Sequence, residues 1–261
     1  MVNIVVLVKQ VPDTAAERTL SEADHTLDRE SADLVLDEIN ERAAEEALVL
    51  KATLGAEVTV VSMGPDSALD AIRKVLAMGA DRGIHIRDDR LRGSDVVTTA
   101  KVLAAAVRTV ADVDLVLAGN ATTDGQAAAV PAVVADLLGV PQLTHVRELT
   151  VGAGRVRAER ETENGEMTLD APLPALVSVT EKINEPRYPS FKGIMAAKKK
   201  PVETVDLDDL FPDADDAGFL VTRTRVVEAV PRPARAAGIR VTDDGSAGRQ
   251  IVDYLIAQRL L

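Results

Sequence analysis

The residues best placed to do chemistry in this chain are glycines and small polar residues that follow an apolar run. The run Asp114–Ala118 is followed by GNATTDGQ at Gly119–Gln126, and the stretch Gly125–Leu138 is predicted as a helix. Main-chain N–H groups and the dipole at a helix N-terminus attract phosphate, so this loop is a candidate phosphate site. The residues alone leave an alternative, a polar loop in which Asp124 or Thr123 caps the helix.

Signals for other reactive sites are weak. His25, His85 and His145 are far apart and lack metal-ligand spacing, and His85 alternates with two isoleucines on a predicted strand, which favours a structural role. The chain has no cysteine, no Gly-x-Ser-x-Gly and no His-Glu-x-x-His motif, which excludes disulfides, thiolate chemistry and these two catalytic sites. No metal site and no catalytic residue is predicted, so the residues indicate binding rather than a reaction.

The elements that would position the loop belong to a parallel α/β sheet. Over the first half of the chain, short β-branched runs alternate with amphipathic stretches, as in a doubly wound fold. One such stretch, Asp37–Leu54, places apolar residues on one face and acids on the other, and Gly55 ends it. The predicted strands are Asn3–Val8, Glu57–Met63, Gly83–Ile86 and Asp114–Ala118, and the other predicted helices are Ser67–Met78 and Asp95–Val110.

A sheet of this type binds ligands in a crevice at the carboxyl ends of its strands. Three predicted loops lie at that edge, namely Lys9–Asp13, Met63–Asp66 and Gly119–Gln126. The residues therefore predict a nucleotide-type site at this edge of the sheet.

From Gln142 onward the pattern changes to strands joined by turns. The Asn164-Gly165 pair is a strong hairpin signal, so the sheet is expected to gain an antiparallel extension. Glu159, Glu161 and Glu163 fall on one face of this hairpin, with Glu166 nearby. Their carboxylates are expected to be solvated or to pair with a cation from a partner. The predicted strands are Thr144–Thr150, Arg155–Arg160, Glu166–Asp170 and Ala175–Thr180, with a further turn at Gly152–Gly154.

The segment Asn184–Lys200, which reads NEPRYPSFKGIMAAKKK, carries two of the five aromatic residues of the chain. Its prolines and Gly193 predict a loop rather than a regular element. Exposed apolar anchors rimmed by charge are typical of a docking surface for a protein partner. The alternative is a loop that folds its aromatic residues back onto its own domain. The residues expected at the surface are Tyr188, Phe191, Ile194, Met195 and Lys198, followed by Lys199 and Lys200.

Composition bounds the remaining possibilities. The chain has 261 residues, 46% hydrophobic and 28% charged, and a net charge of −12, which argues against a nucleic-acid partner. The first apolar run is too short to span a membrane and precedes Lys9, so no membrane insertion and a cytoplasmic location are expected.

Two parts are predicted, an α/β domain at 1–218 that includes a recognition segment at 182–200, and an arm at 219–261. The arm ends in a predicted amphipathic helix, Ala247–Leu261.

Six stretches of the sequence carry a resemblance to a known family. The matching stretches are VLVKQVPDT (Val6–Thr14), AAEEAL (Ala43–Leu48), GPDSALDAIRKVLAMGADRGIHI (Gly64–Ile86), VDLVLAGNATTDG (Val113–Gly125), LPALVSVTEKINEPRYPSFKGIMAAKKK (Leu173–Lys200) and the arm motif Pro233–Val241. Together they resemble the β-subunit of electron-transfer flavoproteins over nearly the full length. The NEPRY-to-KKK block is the most specific of them.

The resemblance implies a Rossmann-like, adenine-nucleotide-binding fold and a heterodimer with an α-subunit. It implies FAD held mainly by that α-subunit, one structural AMP in the β-subunit, and passage of electrons from acyl-CoA dehydrogenases to a quinone oxidoreductase. Phe191 takes the place of the apolar anchor that inserts into the dehydrogenase. Glu161 matches an acidic residue that holds an arginine of the α-subunit, and the Val11–Thr14 turn matches the part that approaches the flavin ring.

The predicted AMP site departs from the family pattern. Many members carry Asn-Pro and an aromatic residue where this chain has Asp37-Glu38-Ile39-Asn40, and a lysine and a hydroxyl residue where it has Asn120 and Ala127. Main-chain N–H groups at Gly125–Ala128 can still cradle a phosphate, so AMP is expected. The alternatives are a second FAD with electron bifurcation and, from a different class of protein, a stand-alone sensor of adenine nucleotides, which would have no need of the arm.

These arguments fix the expected site residues. The cofactor-binding residues are Leu7, Val11, Pro12, Asp13, Thr14, Asp37, Asn40, Met63, Gly119, Asn120, Thr123, Asp124, Gly125, Gln126, Ala127 and Ala128. The partner-binding residues are Glu161, Tyr188, Phe191, Ile194, Met195 and Lys198.

Overall fold

The computed structural model describes residues 2–29, 31–212, 222, 224–230, 232–234 and 238–261. Its centre is a sheet of seven strands that all run parallel. In chain order these are β1 (Asn3–Val8), β4 (Glu57–Met63), β5 (Arg82–Ile86), β6 (Leu115–Gly119), β7 (Gln142–Val146), β11 (Ala175–Val179) and β12 (Val202–Val205). Their order across the sheet is β12-β5-β4-β1-β6-β11-β7. The predicted α/β fold is confirmed.

Helices cover both faces of this sheet. Side chains alternate along a strand, so Ile4, Val6 and Val8 of β1 join a different apolar core from Val5 and Leu7. The first core includes α1 (Glu38–Leu54) and α2 (Leu69–Met78), and the second includes α3 (Val96–Arg108) and α4 (Val130–Leu138). The remaining helices are α5 (Phe191–Ala197), α6 (Leu207–Leu210) and α7 (Ala247–Ala257). The sheet is therefore doubly wound.

The strand order creates one switch point. From β1 the chain adds β4 and then β5 on one side, and it then adds β6 on the other side of β1. In open α/β sheets the crevice outside the carboxyl ends of the two strands at such a point is where ligands bind. The structure therefore directs attention to the residues that follow β1 and β6.

Antiparallel strands form separate small sheets. β8 (Glu148–Gly152), β9 (Arg155–Thr162) and β10 (Gly165–Pro172) make a three-stranded sheet, and β2 (Gln10–Pro12) pairs with β3 (Leu34–Leu36). The single strand predicted at Thr144–Thr150 is wrong, because β7 ends at Val146 in the parallel sheet and β8 begins at Glu148. Ala175–Val179 also lies in the parallel sheet, between β6 and β7. A run of alternating residues does not by itself say which strand will pair with it.

Two local predictions are corrected. The helix predicted from Gly125 begins only at Val130, because Gln126 and Ala128 have left-handed φ values of 49° and 52°. Pro131 then occupies the first turn, where its missing N–H costs nothing. The segment predicted as a loop contains α5, whose N-cap Ser190 accepts the N–H of Gly193 at 3.1 Å. By contrast, α1 ends as predicted at Gly55, which has a φ of 67°.

The chain divides into two compact units, Met1–Val226 and Val227–Leu261. The second contains α7, which has no buried residue, and Ile251, Val252 and Ile256 are 53%, 45% and 57% exposed. The predicted boundary at 218 and the start of the predicted extended stretch Phe219–Val230 fall outside the described residues. Pro231, in the predicted break at Pro231-Arg232-Pro233, is outside them as well, so the 1–218 and 219–261 domains stay a prediction. Among the described residues, none of the helices combines the length and apolarity needed to cross a membrane.

Candidate functional site

A polar loop follows β6 at the switch point, and Asp37 fixes it to the start of α1. The carboxylate of Asp37 is fully buried. Its Oδ1 accepts the N–H groups of Ile39 and Asn40, each at 3.1 Å, and thereby caps α1. Its Oδ2 accepts the N–H of Thr123 at 2.7 Å. One carboxylate therefore ties the loop to the helix, although the two are 86 residues apart in the chain.

Gly119 allows the loop and α1 to approach each other this closely. A Cβ atom at this position would lie 2.5 Å from Nδ2 of Asn40 and 3.0 Å from Cγ2 of Ile39. Both distances are too short for a side chain to fit without movement of its neighbours. The predicted residues Asp37, Asn40, Gly119 and Thr123 are thus brought together by packing at the end of β6.

Asp124 lies at the centre of a buried ion cluster in the same loop. Its side chain is 1% exposed, and its Oδ2 is 2.7 Å from Nζ of Lys9 and 2.5 Å from Nη2 of Arg29. Burial raises the pKa of the Asp124 carboxyl, but the charge of Lys9 and the hydrogen bonds from Lys9 and Arg29 outweigh it and hold that pKa well below its usual range. Burial lowers the pKa of the Lys9 ammonium, and Asp124 offsets part of this loss. The loop is therefore fastened to the end of β1 as a charged unit.

Two arginines at this site were missed by sequence reasoning. Arg29 donates to Asp124, and Nη1 of Arg18 donates to the carbonyl oxygen of Thr123 at 2.5 Å. Both come from the connection between β2 and β3, which carries no recognised binding motif. Only the contact itself, across 105 residues for Arg18, identifies them. With Lys9 they supply three cations beside two carboxylates, which favours an anionic ligand.

The loop also holds polar atoms with no partner. The side-chain atoms Oδ1 of Asn120, Oγ1 of Thr123 and Oγ of Ser62, at the end of β4, are buried without a hydrogen-bond partner among the described residues. An unpaired buried polar atom costs free energy, so such atoms point to a bound polar group or water. These atoms lie in the loop after β6 and at the end of β4, the edge where the loops predicted to bind the nucleotide meet. They fit a ligand with several hydrogen-bonding groups, as a nucleotide has.

The stretch Gly125–Ala128 is exposed main chain rather than a helix terminus. The N–H of Gln126 donates to the carbonyl oxygen of Thr122 at 3.0 Å, and the N–H of Gly125 is taken by Asp124. Neither Asp124 nor Thr123 caps α4, so the predicted capping alternative is wrong as well. The remaining N–H groups, at Ala127 and Ala128, face an exposed surface. They are the groups of this stretch that can contact a phosphate.

The other predicted cofactor residues divide by exposure. Leu7, Val11 and Pro12 are buried, so their side chains pack inside the domain. Asp13 accepts the N–H of Ala15 at 2.8 Å, and the exposed Thr14 donates to Oε1 of Glu38 at 3.2 Å. Met63 is half-buried at the end of β4. In the turn Val11–Thr14, Thr14 is exposed and Asp13 is partly exposed.

The predicted docking residues lie on one exposed surface, which we call the recognition surface and define as Tyr188, Phe191, Ile194, Met195 and Lys198. Tyr188 is 96% exposed and Phe191 is 81% exposed, whereas a large apolar side chain is usually buried. Ile194 and Met195, one turn further along α5, are each nearly half exposed. Lys192, Lys198 and Lys199 are exposed beside them. The alternative in which the aromatic side chains fold back onto the domain is excluded for these two residues.

Glu161 is paired within its own chain. Its carboxylate contacts Lys182 and lies 3.1 Å from Nη1 of Arg147, which also binds Glu159 and Glu166. The hydrogen bond and charge of Lys182 lower the pKa of Glu161. Arg147 follows the end of β7 and lies beside the hairpin, so this chain itself supplies cations to these carboxylates. The role of Glu161 towards an α-subunit stays a prediction.

Two of the histidines, His85 and His145, contact polar groups of their own chain. Nε2 of His85 lies 3.1 Å from the carbonyl oxygens of Gly64 and Pro65, and the side chain is buried, as the predicted structural role requires. Nδ1 of His145 lies 3.2 Å from Nδ2 of Asn120. Within the described part of the chain, no group of three or more histidines and acids is arranged to hold a metal ion.

The fold and this edge of the sheet define a doubly wound, Rossmann-like α/β protein. A family model described as the electron transfer flavoprotein domain matches residues 24–210 of the chain. The chain is 53% identical to the electron transfer flavoprotein subunit beta of Mycobacterium tuberculosis, and 52% identical to that of Mycobacterium leprae, with 100% of each chain covered. It is 34% identical to the corresponding protein of Megasphaera elsdenii, with 99% of this chain and 100% of the relative covered. The chain therefore belongs to the electron transfer flavoprotein β-subunit family.

Proposed function

We propose that this chain is the β-subunit of a heterodimeric electron-transfer flavoprotein. It accepts electrons from acyl-CoA and related dehydrogenases and passes them through FAD to a quinone oxidoreductase, in the oxidation of fatty acids in the cytoplasm. It acts as a carrier subunit without an acid–base site of its own. The observation that carries the proposal is the recognition surface, where large apolar side chains are exposed beside lysines.

The flavin supplies the electron transfer when it is bound, and the α-subunit holds most of it. The role of this chain is to complete the flavin site with the turn Val11–Thr14. The main chain of that turn is fixed by the β2–β3 pairing and by the bond from Asp13 N–H to the carbonyl oxygen of Asp33 at 2.8 Å. A fixed turn would hold its side of the flavin site in place, and electron transfer needs such placement rather than proton chemistry.

The nucleotide proposed for this chain is AMP, at the switch point. The buried unpaired atoms of Asn120 and Thr123 and the cations of the Asp124 cluster support an anionic, hydrogen-bonding ligand. Main-chain N–H groups at Ala127 and Ala128 would contact its phosphate. Both Asp37 and Asp124 are already fully engaged with protein groups, so they would order the loop rather than bind the ligand.

Two further surfaces complete the proposal. The exposed lysines beside Phe191 suit a dehydrogenase surface in which an apolar pocket is rimmed by acids, although the chain as a whole carries a net charge of −12. The apolar residues Ile251, Val252 and Ile256 of α7 would be covered by the α-subunit, together with the rest of the arm.

The test is to purify the chain with and without its α-subunit and to measure released FAD and AMP. We expect about one FAD and one AMP per heterodimer and a colourless chain alone; two FAD and no AMP would replace AMP with a second flavin. Nucleotide bound to the lone chain with no α-subunit complex would favour the sensor.

Docking is tested in the same heterodimer with Phe191→Ala. Truncation of a central anchor costs about 2 kcal/mol or more, so we expect the concentration for half-maximal reduction by a dehydrogenase to rise about thirtyfold or more with FAD content unchanged. Val97→Ala, which shortens another half-exposed apolar side chain, is the matched control. Loss of flavin in Phe191→Ala would contradict the docking role.

A further inference from the structure

We propose that Glu45 and Glu46 of α1 are positioning residues that hold the recognition surface in the conformation that docks a dehydrogenase. The proposal rests on the proposed function for the identity of the partner, but its geometry is independent of it. The sequence predicted these acids on the exposed face of α1, and that prediction is wrong because both are buried.

Glu45 binds Arg187 with both of its oxygens. Nε of Arg187 lies 2.8 Å from Oε2 and Nη2 lies 2.8 Å from Oε1, while the main-chain N–H of Arg187 donates to Oε2 at 3.1 Å. This two-pronged contact fixes the planar guanidinium and the backbone of the residue next to Tyr188. The side chain of Glu45 is 8% exposed, so the pair is shielded from solvent on the carboxylate side.

Glu46 and Arg42 hold the preceding residues. Nδ2 of Asn184 donates to Oε2 of Glu46 and to the carbonyl oxygen of Arg42, each at 3.1 Å. The side chain of Arg42 is also 3.5 Å from Glu185. Positions 42, 45 and 46 are three and four residues apart, so they lie on one face of α1 and together form an anchor for 184–187.

The far end of the segment is held by α2. Nη1 of Arg73 donates to the carbonyl oxygens of Ala197 and Lys200 at 2.7 and 3.0 Å. Nζ of Lys200 donates to the carbonyl oxygens of Leu76 and Ala80, so this lysine is used inside the chain. The recognition surface therefore lies between two anchors, which hold the backbone on either side of its exposed apolar side chains.

The anchors matter for docking because they order the segment before the partner arrives. Each residue that has to be ordered on binding costs about tenfold in affinity. Release of the anchor at 184–187 would thus weaken docking while leaving the apolar contacts of Phe191 available. If the anchor acts in docking alone, its loss changes the concentration of heterodimer needed for half-maximal reduction by a dehydrogenase and leaves the maximal rate of reduction unchanged.

The experiment compares Glu45→Gln and Arg187→Gln with wild type in the heterodimer with its α-subunit. Glu41→Gln is the matched control, because Glu41 lies on the same helix, loses the same charge, and binds Lys74 rather than the segment. We expect at least tenfold faster hydrogen exchange at 183–190 in the two variants. We also expect at least a tenfold rise in the concentration of heterodimer needed for half-maximal reduction by a dehydrogenase, because at least one residue has to be ordered again on binding. Flavin content, maximal rate and the control should stay at wild-type values.

The double variant separates a pair from two independent effects. If Glu45 and Arg187 act as one contact, Glu45→Gln combined with Arg187→Gln is no worse than either single variant. Exchange and half-saturation equal to wild type in both single variants would overturn the positioning role. A different outcome is faster hydrogen exchange in the variants together with no reduction of any heterodimer, wild type included, by a dehydrogenase. That outcome would support the positioning role and overturn the proposed function.

Discussion

Replacement of Gly193 by alanine tests how closely α5 packs on α2. A Cβ atom at this position would lie 2.3 Å from the main-chain oxygen of Ala77 and 3.3 Å from Oγ of Ser190. The first distance is about 1 Å shorter than an ordinary carbon–oxygen contact, and the neighbouring atom is main chain in the last turn of a helix. The added methyl group therefore forces α5 away from α2 instead of filling space.

The sign of the effect on stability distinguishes this contact from local propensity. Gly193 lies inside a helix, and there alanine is more favourable than glycine by about 1 kcal/mol. Overpacking against rigid neighbours costs about 1–3 kcal/mol. The difference is a net destabilisation of about 0–2 kcal/mol, which corresponds to a fall in Tm of up to roughly 8 °C for a chain of this size.

Thermal unfolding of Gly193→Ala against wild type measures this difference directly. Gly248→Ala is the matched control, because Gly248 is also in a helix but a Cβ atom there would meet nothing within 4 Å. We expect the control to leave Tm unchanged or raise it slightly. A rise in Tm for Gly193→Ala would show that α5 has room against α2, and the reasoning would be refuted.

Two further predictions concern buried carboxylates. Burial raises the pKa of the Glu46 carboxyl above its ordinary value of 4.5, although the hydrogen bond from Asn184 lowers that pKa in part. The folded chain therefore holds this proton more tightly than the unfolded chain, and the free energy of unfolding falls as pH rises from about 4.5 through the raised pKa. Glu46→Gln should therefore raise Tm at pH 7–8. The gain in Tm should vanish below about pH 4.5, because there the carboxyl of Glu46 is neutral in both the folded and the unfolded chain. A gain in Tm that persists at low pH would contradict this reasoning. Asp124→Asn breaks a buried cluster whose cations, Lys9 and Arg29, are 37% and 31% exposed, so the usual loss of 3–5 kcal/mol is reduced to about 2–3 kcal/mol. Urea unfolding at pH 7 measures it, and a loss below about 1 kcal/mol would count against the cluster.

Local signals in the sequence were sufficient for most of the central sheet. The continuous apolar run Asn3–Val8 and the glycine stop at Gly55 both correspond to observed element ends. The start of α4 was mispredicted because Gln126 and Ala128 adopt left-handed backbone angles, and neither residue type signals such angles. The short helix α5 was missed because Gly193 reads as a helix breaker, although it is required there by the contact with α2.

The candidate site was predictable only in part, because much of it depends on contacts between distant residues. The motif around Asp124 placed this residue at the ligand edge, but nothing near Arg29 indicates that it binds a carboxylate 95 residues away. The same holds for Glu45, whose partner Arg187 is 142 residues further along. An acid on an amphipathic helix is normally solvated, so only the fold shows that this one faces another segment.

The position of the segment between β11 and β12 has a consequence for how the molecule is made. Four strands separate β11 from β12 in the sheet, so the connection at 180–201 crosses about 24 Å of sheet width before β12 pairs with β5. Its anchors on α1 and α2 come from early parts of the chain, so both are synthesised before the segment that they hold. The strand that follows the segment, β12, is the last strand among the described residues and forms the edge of the sheet beside β5. A growing chain can therefore order its recognition surface on the two helices before the edge of its sheet is complete.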